Sequence, residues 1–320
     1  MKNIVFTLFL FVFALNFSVA QVAIETPQEV AADSTKSDES KLEKSLLWEI
    51  SGNGIESPSY LYGTIHIIGK DDFVLTDKTK ASFDKSERVT FEINMEEMND
   101  LSTMFTLMSK VMMPNATTLK DLLSEEDYVF VKAELGKLGL PAMMTGVLER
   151  IKPMFLTTFA SGDMDPNGLQ NGEIVSYEME FMQMAQQMEK EMAGLETVEY
   201  QISIFDSIPL DEQAQMLVES MRAESEGSDQ FKEMVQMYLN EDIEAMQDMF
   251  KGEEEGIAEY EDVLLVNRNR NWIPIMRGMM KEKPTFFAVG AGHLGGKNGV
   301  IRLLQNEGYT LTPLHVKTTK

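Results

Sequence analysis

No cysteine occurs in the 320 residues. Disulfides, thiolate metal sites and lipid attachment at cysteine are therefore excluded. Histidine is nearly as scarce, with three in the whole chain. Positive charge is also short: 28 Lys and Arg stand against 52 Asp and Glu, a formal net charge of −24. So acidic a surface repels phosphate backbones and anionic lipid, and nucleic acid is excluded as a partner. Long apolar runs are missing everywhere except at the N-terminus, so nothing later in the chain reads as a membrane span. No HExxH, GxSxG or P-loop is present, which removes the commonest hydrolase and phosphate-binding readings.

The N-terminal run identifies a compartment. Lys2 precedes the apolar stretch from Ile4 to Leu15, and Ser18-Val19-Ala20 follows. A basic start, a short apolar core and small residues at the end describe a signal peptide over 1–20, cut after Ala20. The mature protein is then exported, periplasmic or secreted, and not integral to the membrane. Residues 21–44 are rich in Glu, Asp, Ser, Thr, Ala and Lys and read as a disordered linker.

Order begins near residue 45. Leu46–Ile50 and Ser59–His66 read as strands of a hairpin, joined through Ser51-Gly52-Asn53-Gly54 and Glu56-Ser57-Pro58. Val89–Ile93 is a further strand after a helical stretch. From about 96 to 280 the pattern is mainly helical, interrupted by a loop near 161–168 and one strand, Met192–Glu196. The end returns to strand, helix and strand over 285–290, 297–307 and 309–315. This order predicts an α/β (α+β) fold over 45–316: a central mixed sheet from both chain ends with a helical insert at about 96–280. The 25 methionines include Met179, Met182, Met184, Met188 and Met192 in one stretch. Exported copper proteins cluster thioethers, but helical spacing favours core filler or an adaptable groove.

Chemistry concentrates in two short motifs of one form, Gly63-Thr64-Ile65-His66 and Gly290-Ala291-Gly292-His293. Each ends an apolar strand, where ligands of α/β sheets bind. Their histidines lie 227 residues apart in sequence, yet can converge on one metal or one substrate. Glu92, between Phe91 and Ile93, is a metal ligand or a general base with a raised pKa. Glu196 closes the central strand. Arg268 and Asn269 lie on a helix, with Arg268 one turn before Trp272. The arginine binds a substrate carboxylate, stabilises an oxyanion, or serves as a structural ion pair.

The ordered set of Leu47-Trp48 to His66, Glu92, Gly194-Leu195-Glu196-Thr197, Phe205-Asp206 to Pro209, Arg268-Asn269 and Gly290–Leu294 resembles the TraB/PrgY/GumN family over roughly 45–316. The resemblance implies kinship with the animal Tiki proteins, metal-dependent proteases whose two Gly-x-x-His motifs and a glutamate form the site. Those positions here are His66, His293 and Glu92. A more distant link leads to the erythromycin-esterase and ChaN-like fold, which includes an esterase and a haem binder. Many relatives have proline where this chain has Gly295, which predicts a looser loop after His293. The leading expectation is an exported metal-dependent hydrolase, a peptidase acting on peptide or protein. It would hold Mn, Co or Zn through His66, His293 and Glu92. Glu92, Glu196, Arg268 and Asn269 would assist catalysis. The alternatives are a non-enzymatic haem or metal binder and a metal-free esterase.

Overall fold

The structure, a computed structural model, describes residues 41–94, 101–137, 142–160, 173–225, 230–249 and 260–315. The leader, most of the linker and the 161–168 loop fall outside them. Six strands form the main sheet: β1 (Leu47–Gly52), β2 (Ser59–Thr64), β4 (Arg88–Ile93), β6 (Glu191–Glu196), β7 (Thr285–Gly290) and β8 (Tyr309–Pro313). Their order across the sheet is β6-β4-β7-β2-β1-β8. A separate two-stranded ladder joins β3 (Ile68–Gly69) to β5 (Ile174–Val175).

Strand composition explains this arrangement. The run TFFAVG of β7 is apolar on both faces, RVTFEI of β4 is apolar on its Val89, Phe91 and Ile93 face, and both are almost wholly buried. That pattern belongs to the covered centre of a parallel sheet. β6, β4, β7 and β2 do run parallel, with Phe91 opposite Ala288 and Tyr62 opposite Ala288 on its other side. β1 turns back antiparallel on β2, pairing Leu47 with Tyr62, and β8 is antiparallel to β1. β8 alternates buried and exposed residues, as an edge strand with one wet face should. The sheet thus unites both chain ends as the sequence predicts, and β6, from the middle of the chain, joins it at one edge. The final helix and strand are shorter than read from sequence, Val300–Asn306 and Tyr309–Pro313.

Four helices matter for the site: α1 (Asp77–Lys85), α2 (Tyr177–Gln187), α3 (Val198–Ile204) and α4 (Asn267–Glu282). One core surrounds the sheet and includes Trp48, Tyr62, Phe83 of α1, Phe181 of α2, Trp272 of α4, and Phe286. A second is built by the middle helices, with Leu107, Val131, Phe155, Phe205 and Leu217. Two of the places where the chain crosses from one core to the other bear on the site. Ile65 belongs to the first and Ile67 to the second; so do Phe91 and Ile93. The residues at those crossings are His66 and Glu92.

The methionine stretch divides. Met182 packs against both cores, and Met184 and Met192 against the first. Met179 and Met188 are exposed, so they are not core filler. What α2 buries is Tyr177, Glu178, Phe181 and Ala185. A carboxylate, not a thioether, leads that stripe.

Candidate functional site

All four parallel strands carry a polar residue to the same edge of the sheet. β2 ends at Thr64, two residues before His66; β4 holds Glu92 next to its last residue. β6 ends on Glu196, and β7 ends on Gly290, three before His293. Crevices at the carboxyl ends of parallel strands are where α/β sheets bind ligands. α4 lays Arg268 and Asn269 over this edge. It follows directly on a wide π-turn, Asp262–Val266. Arg268 Nη1 donates back to Leu264 O within that turn at 3.2 Å.

Arg268 is the centre of the cluster and has no exposed surface. Its Nη2 donates to Glu92 Oε2 at 2.6 Å, and its Nε lies 3.0 Å from Glu196 Oε1. Nη2 also pairs with Glu196 Oε1. Gln201 of α3 donates one amide group to both acids, 3.1 Å from Glu92 Oε2 and 3.1 Å from Glu196 Oε1. Trp272 Nε1 donates to Glu196 Oε2 at 3.1 Å, and the Trp272 ring lies 4.9 Å from the guanidinium carbon. The expected sharing of a helix face by Arg268 and Trp272 therefore serves one carboxylate.

His293 is buried beside them. Its Nδ1 lies 2.6 Å from Asn269 Oδ1; Nε2 lies 3.1 Å from Arg268 Nη1 and 3.8 Å from Glu92 Oε1. The acceptor at Nδ1 selects the Nδ1–H tautomer and leaves the lone pair on Nε2. Asn269 Nδ2 donates to Asn298 O at 2.9 Å, which ties the loop beyond His293 to the same helix. Asn269 thus acts on the ring's orientation.

His66 stands at the rim, with 17% of its side chain exposed against 2% for His293. Its Nδ1 lies 3.0 Å from Glu178 Oε1. Its charge bears on both Glu92 and His293.

These contacts separate the titration of the two acids. Burial works to raise the Glu92 carboxyl. The charges of Arg268, His293 and His66 and the Gly290 N–H, 2.9 Å from Oε1, outweigh it and hold the group at about 2. The raised pKa expected for Glu92 is thereby corrected, because the guanidinium stabilises its ionised form. Burial raises Glu196 above its ordinary value, and Arg268 only partly offsets that. Burial, reinforced by the Arg268 charge, lowers His293 to about 3, so the ring is neutral at pH 7. For His66 burial also pulls downward, but Glu178 and then Glu92 prevail and the pKa is raised.

The glycines of the second motif have steric reasons. A Cβ on Gly290 would lie 3.2 Å from Glu92 Oε1, so the bare residue lets its N–H reach the carboxylate. The run from Gly290 to Gly295 also spells G-x-G-x-x-G after a strand. It leads into a 3-10 turn over Ala291–His293 rather than a helix, and Glu92 already takes the amide a phosphate would need. Gly295 does not loosen its loop. A Cβ there would stand 2.9 Å from the carbonyl carbon of Ile243. The glycine lets the helix Ile243–Met249 close on the His293 turn. Gly295→Pro is accordingly expected to destabilise this protein by about 1–3 kcal/mol through overpacking. A thermal melt checks it, and an unchanged Tm would show that the helix yields.

Four participating residues escaped the sequence reading: Glu178, Gln201, Thr64 and Ser176. Two left a signal. Glu178 shares its helical stripe with Phe181 and Ala185, and Gln201 shares one with Val198 and Ile202. A polar residue in line with such apolar neighbours is buried and needs a partner.

A model of the TraB/PrgY/gumN family matches residues 46–313. The chain belongs to this family. Among curated relatives, the Danio rerio protein named Metalloprotease TIKI1 is 27% identical over 346 residues, covering 90% of this chain and 68% of the relative. The Homo sapiens Metalloprotease TIKI1 is 26% identical, covering 83% and 61%. Metalloprotease TIKI2 of Xenopus tropicalis is 25% identical, covering 83% and 59%. The chain thus spans only part of these relatives' length. No solved structure matches.

The donor set suits a divalent ion in its chemistry. Two neutral-capable imidazoles and a carboxylate accord with Mn, Co or Zn. The Nε2 to Oε1 separation of 3.8 Å is near the roughly 3.4 Å between two ligands of a tetrahedral ion. Among the described residues no three His, Asp or Glu side chains converge in ligand geometry. Arg268 Nη1 instead faces the Nε2 of His293. Among the described residues no helix is long and apolar enough to cross a membrane.

Proposed function

We propose that the chain is an exported, metal-dependent hydrolase of peptides or proteins, folded as one domain over 45–316. The observation that carries this reading is the pairing at the sheet edge. Two imidazoles from matching Gly-x-x-His turns, each backed at Nδ1, flank one ionised carboxylate. The relatives' printed name, metalloprotease, supports the same reaction class. His66, His293 and Glu92 would hold the ion. Bound there, a divalent ion supplies Lewis acidity toward a carbonyl and lowers the pKa of water.

The chain's own residues divide the remaining work. Glu92 stays ionised, as a ligand must. Glu196, raised by burial, is the acid of the pair better able to take and return a proton. Arg268 keeps both acids in register and neutralises part of their charge. Substrate would reach the cluster from the His66 side, where the ring is partly exposed. A haem role is disfavoured by the surroundings of His293. Its ring packs 4.4 Å from Trp272, with Asn269 and Arg268 at its two nitrogens, so that Arg268 stands where an axial bond from Nε2 would form.

The deciding experiment compares metal content and peptide cleavage in wild type, His66→Ala, His293→Ala and Glu92→Gln, with and without chelator. Each variant is expected to lose metal affinity at least about tenfold, and cleavage with it. Wild-type metal content and chelator-resistant cleavage in all three would reject the metal reading and favour the esterase.

A further inference from the structure

His66 and His293 look alike in sequence but are held differently. Asn269, a neutral amide, backs His293. His66 is backed by Glu178, a buried carboxylate at the start of α2. Glu178 receives three groups at once. Oε1 accepts from Thr64 Oγ1 at 2.6 Å and faces His66 Nδ1 at 3.0 Å, while Oε2 accepts from Ser176 Oγ at 3.1 Å. Thr64 is the last residue of β2, and Ser176 is the N-cap of α2. A carboxylate in the first turn of a helix also gains from the helix dipole.

The small second ladder has a reason here. β3 follows His66 by two residues, and β5 precedes Glu178 by three. Pairing Ile68 with Val175 and Gly69 with Ile174 joins the two segments that carry the imidazole and the carboxylate. Tyr177 adds a second tie, since its hydroxyl donates to Val74 O at 3.1 Å and accepts from Val74 N at 3.3 Å. Two strands of two residues would contribute little as a separate sheet. As a clamp they fix one side-chain pair across 112 residues of sequence.

We infer that Glu178 is a positioning residue for His66: clamped by the β3–β5 ladder, its carboxylate holds the ring as the Nδ1–H tautomer and turns the Nε2 lone pair to the site. Building on the hydrolase reading, this makes His66 the carboxylate-backed imidazole and His293 the amide-backed one. Backing by a carboxylate raises ligand basicity, and loss of such a partner typically lowers metal affinity about 10–100-fold.

Two readouts on the full chain test this and keep it apart from the hydrolase reading. With three histidines, ¹⁵N NMR of the metal-free protein resolves the tautomer of each ring, and His66→Asn assigns the His66 signals. At a pH where the ring is neutral, wild type is expected to show Nδ1–H at His66. Glu178→Leu is expected to shift it toward Nε2–H while His293 is unchanged, with Glu178→Asp partly restoring the wild-type pattern. The second readout is Co(II) titration. Glu178→Gln, which keeps the shape and an acceptor but no charge, is expected to bind Co(II) about 10–100-fold more weakly with its Tm nearly unchanged. A tautomer shift in a protein whose wild type takes no Co(II) would uphold the role of Glu178 and reject the metal reading alone. An unshifted His66 signal in a folded Glu178→Leu, or wild-type Co(II) affinity in Glu178→Gln should Leu not fold, overturns the inference.

Discussion

Arg268→Met is expected to destabilise the protein by about 3–5 kcal/mol, the usual result of removing one partner from a buried ion pair. Methionine preserves length and apolar bulk, so the loss reports charge rather than a cavity. What remains is two buried carboxylates, Glu92 and Glu196, bridged by the single amide of Gln201. Equilibrium denaturation at two pH values provides a sharper check, because the variant should gain more stability on acidification than wild type does. In the metal-free wild type, Glu92 is held at about 2, below its unfolded value. Its stabilisation is complete above the ordinary carboxylate range and fades as pH falls toward 2. His293, at about 3, acts in the same direction, since the unfolded chain takes up that proton first, whereas the raised Glu196 and His66 act in the opposite one. Without the guanidinium, burial dominates both acids and raises them. Protonation then relieves the folded state, and stability should rise as pH falls from about 7 to 5. A variant whose stability changes with pH as wild type's does would show that Arg268 does not control the pair. Arg268→Met combined with Glu196→Gln should recover part of the loss at pH 7, since one of the two stranded charges is gone.

The sheet was legible because its strands announce themselves. Phe286–Val289 and Val89–Phe91 are too apolar and too short for anything but covered strands, and Asn53-Gly54 marks the hairpin. Glu92, Glu196, Arg268, Asn269 and His293 could be singled out because charged or imidazole groups at the ends of such strands, or one turn from a tryptophan, are out of place in a core. The partners of those groups were not legible, for a physical reason. Glu178 lies in a stretch whose local signal is methionine, and the contact that buries it spans 112 residues. The β3–β5 ladder is two residues long on each side, below any periodicity. Gly295 was misjudged for the same cause: its neighbour, Ile243, is distant in sequence, and only the packed structure shows that a side chain would strike it.

Glu196→Gln is expected to lower kcat for peptide cleavage by about 10²–10⁴, the range for loss of a positioned proton carrier. The reason is the separation of the two acids around one guanidinium. Glu92 is fixed in the ionised state by Arg268 and the Gly290 N–H, which makes it a ligand and a poor proton acceptor near neutral pH. Glu196 receives Arg268, Gln201 and Trp272 Nε1, yet burial still raises it. Two neighbouring carboxyl groups with titrations driven apart are the usual arrangement for dividing acid–base work from charge stabilisation. Glutamine keeps the size of the side chain and an oxygen for Trp272, but it can neither bear charge nor carry a proton. Metal content should therefore stay near wild type in Glu196→Gln and fall in Glu92→Gln, so that the two variants separate turnover from binding. The measurement is kcat and KM on one peptide, with metal stoichiometry and Tm for each protein. Should Glu196→Gln retain kcat within a few fold while losing stability, Glu196 is a structural counter-ion of Arg268, and the proton must pass through His66.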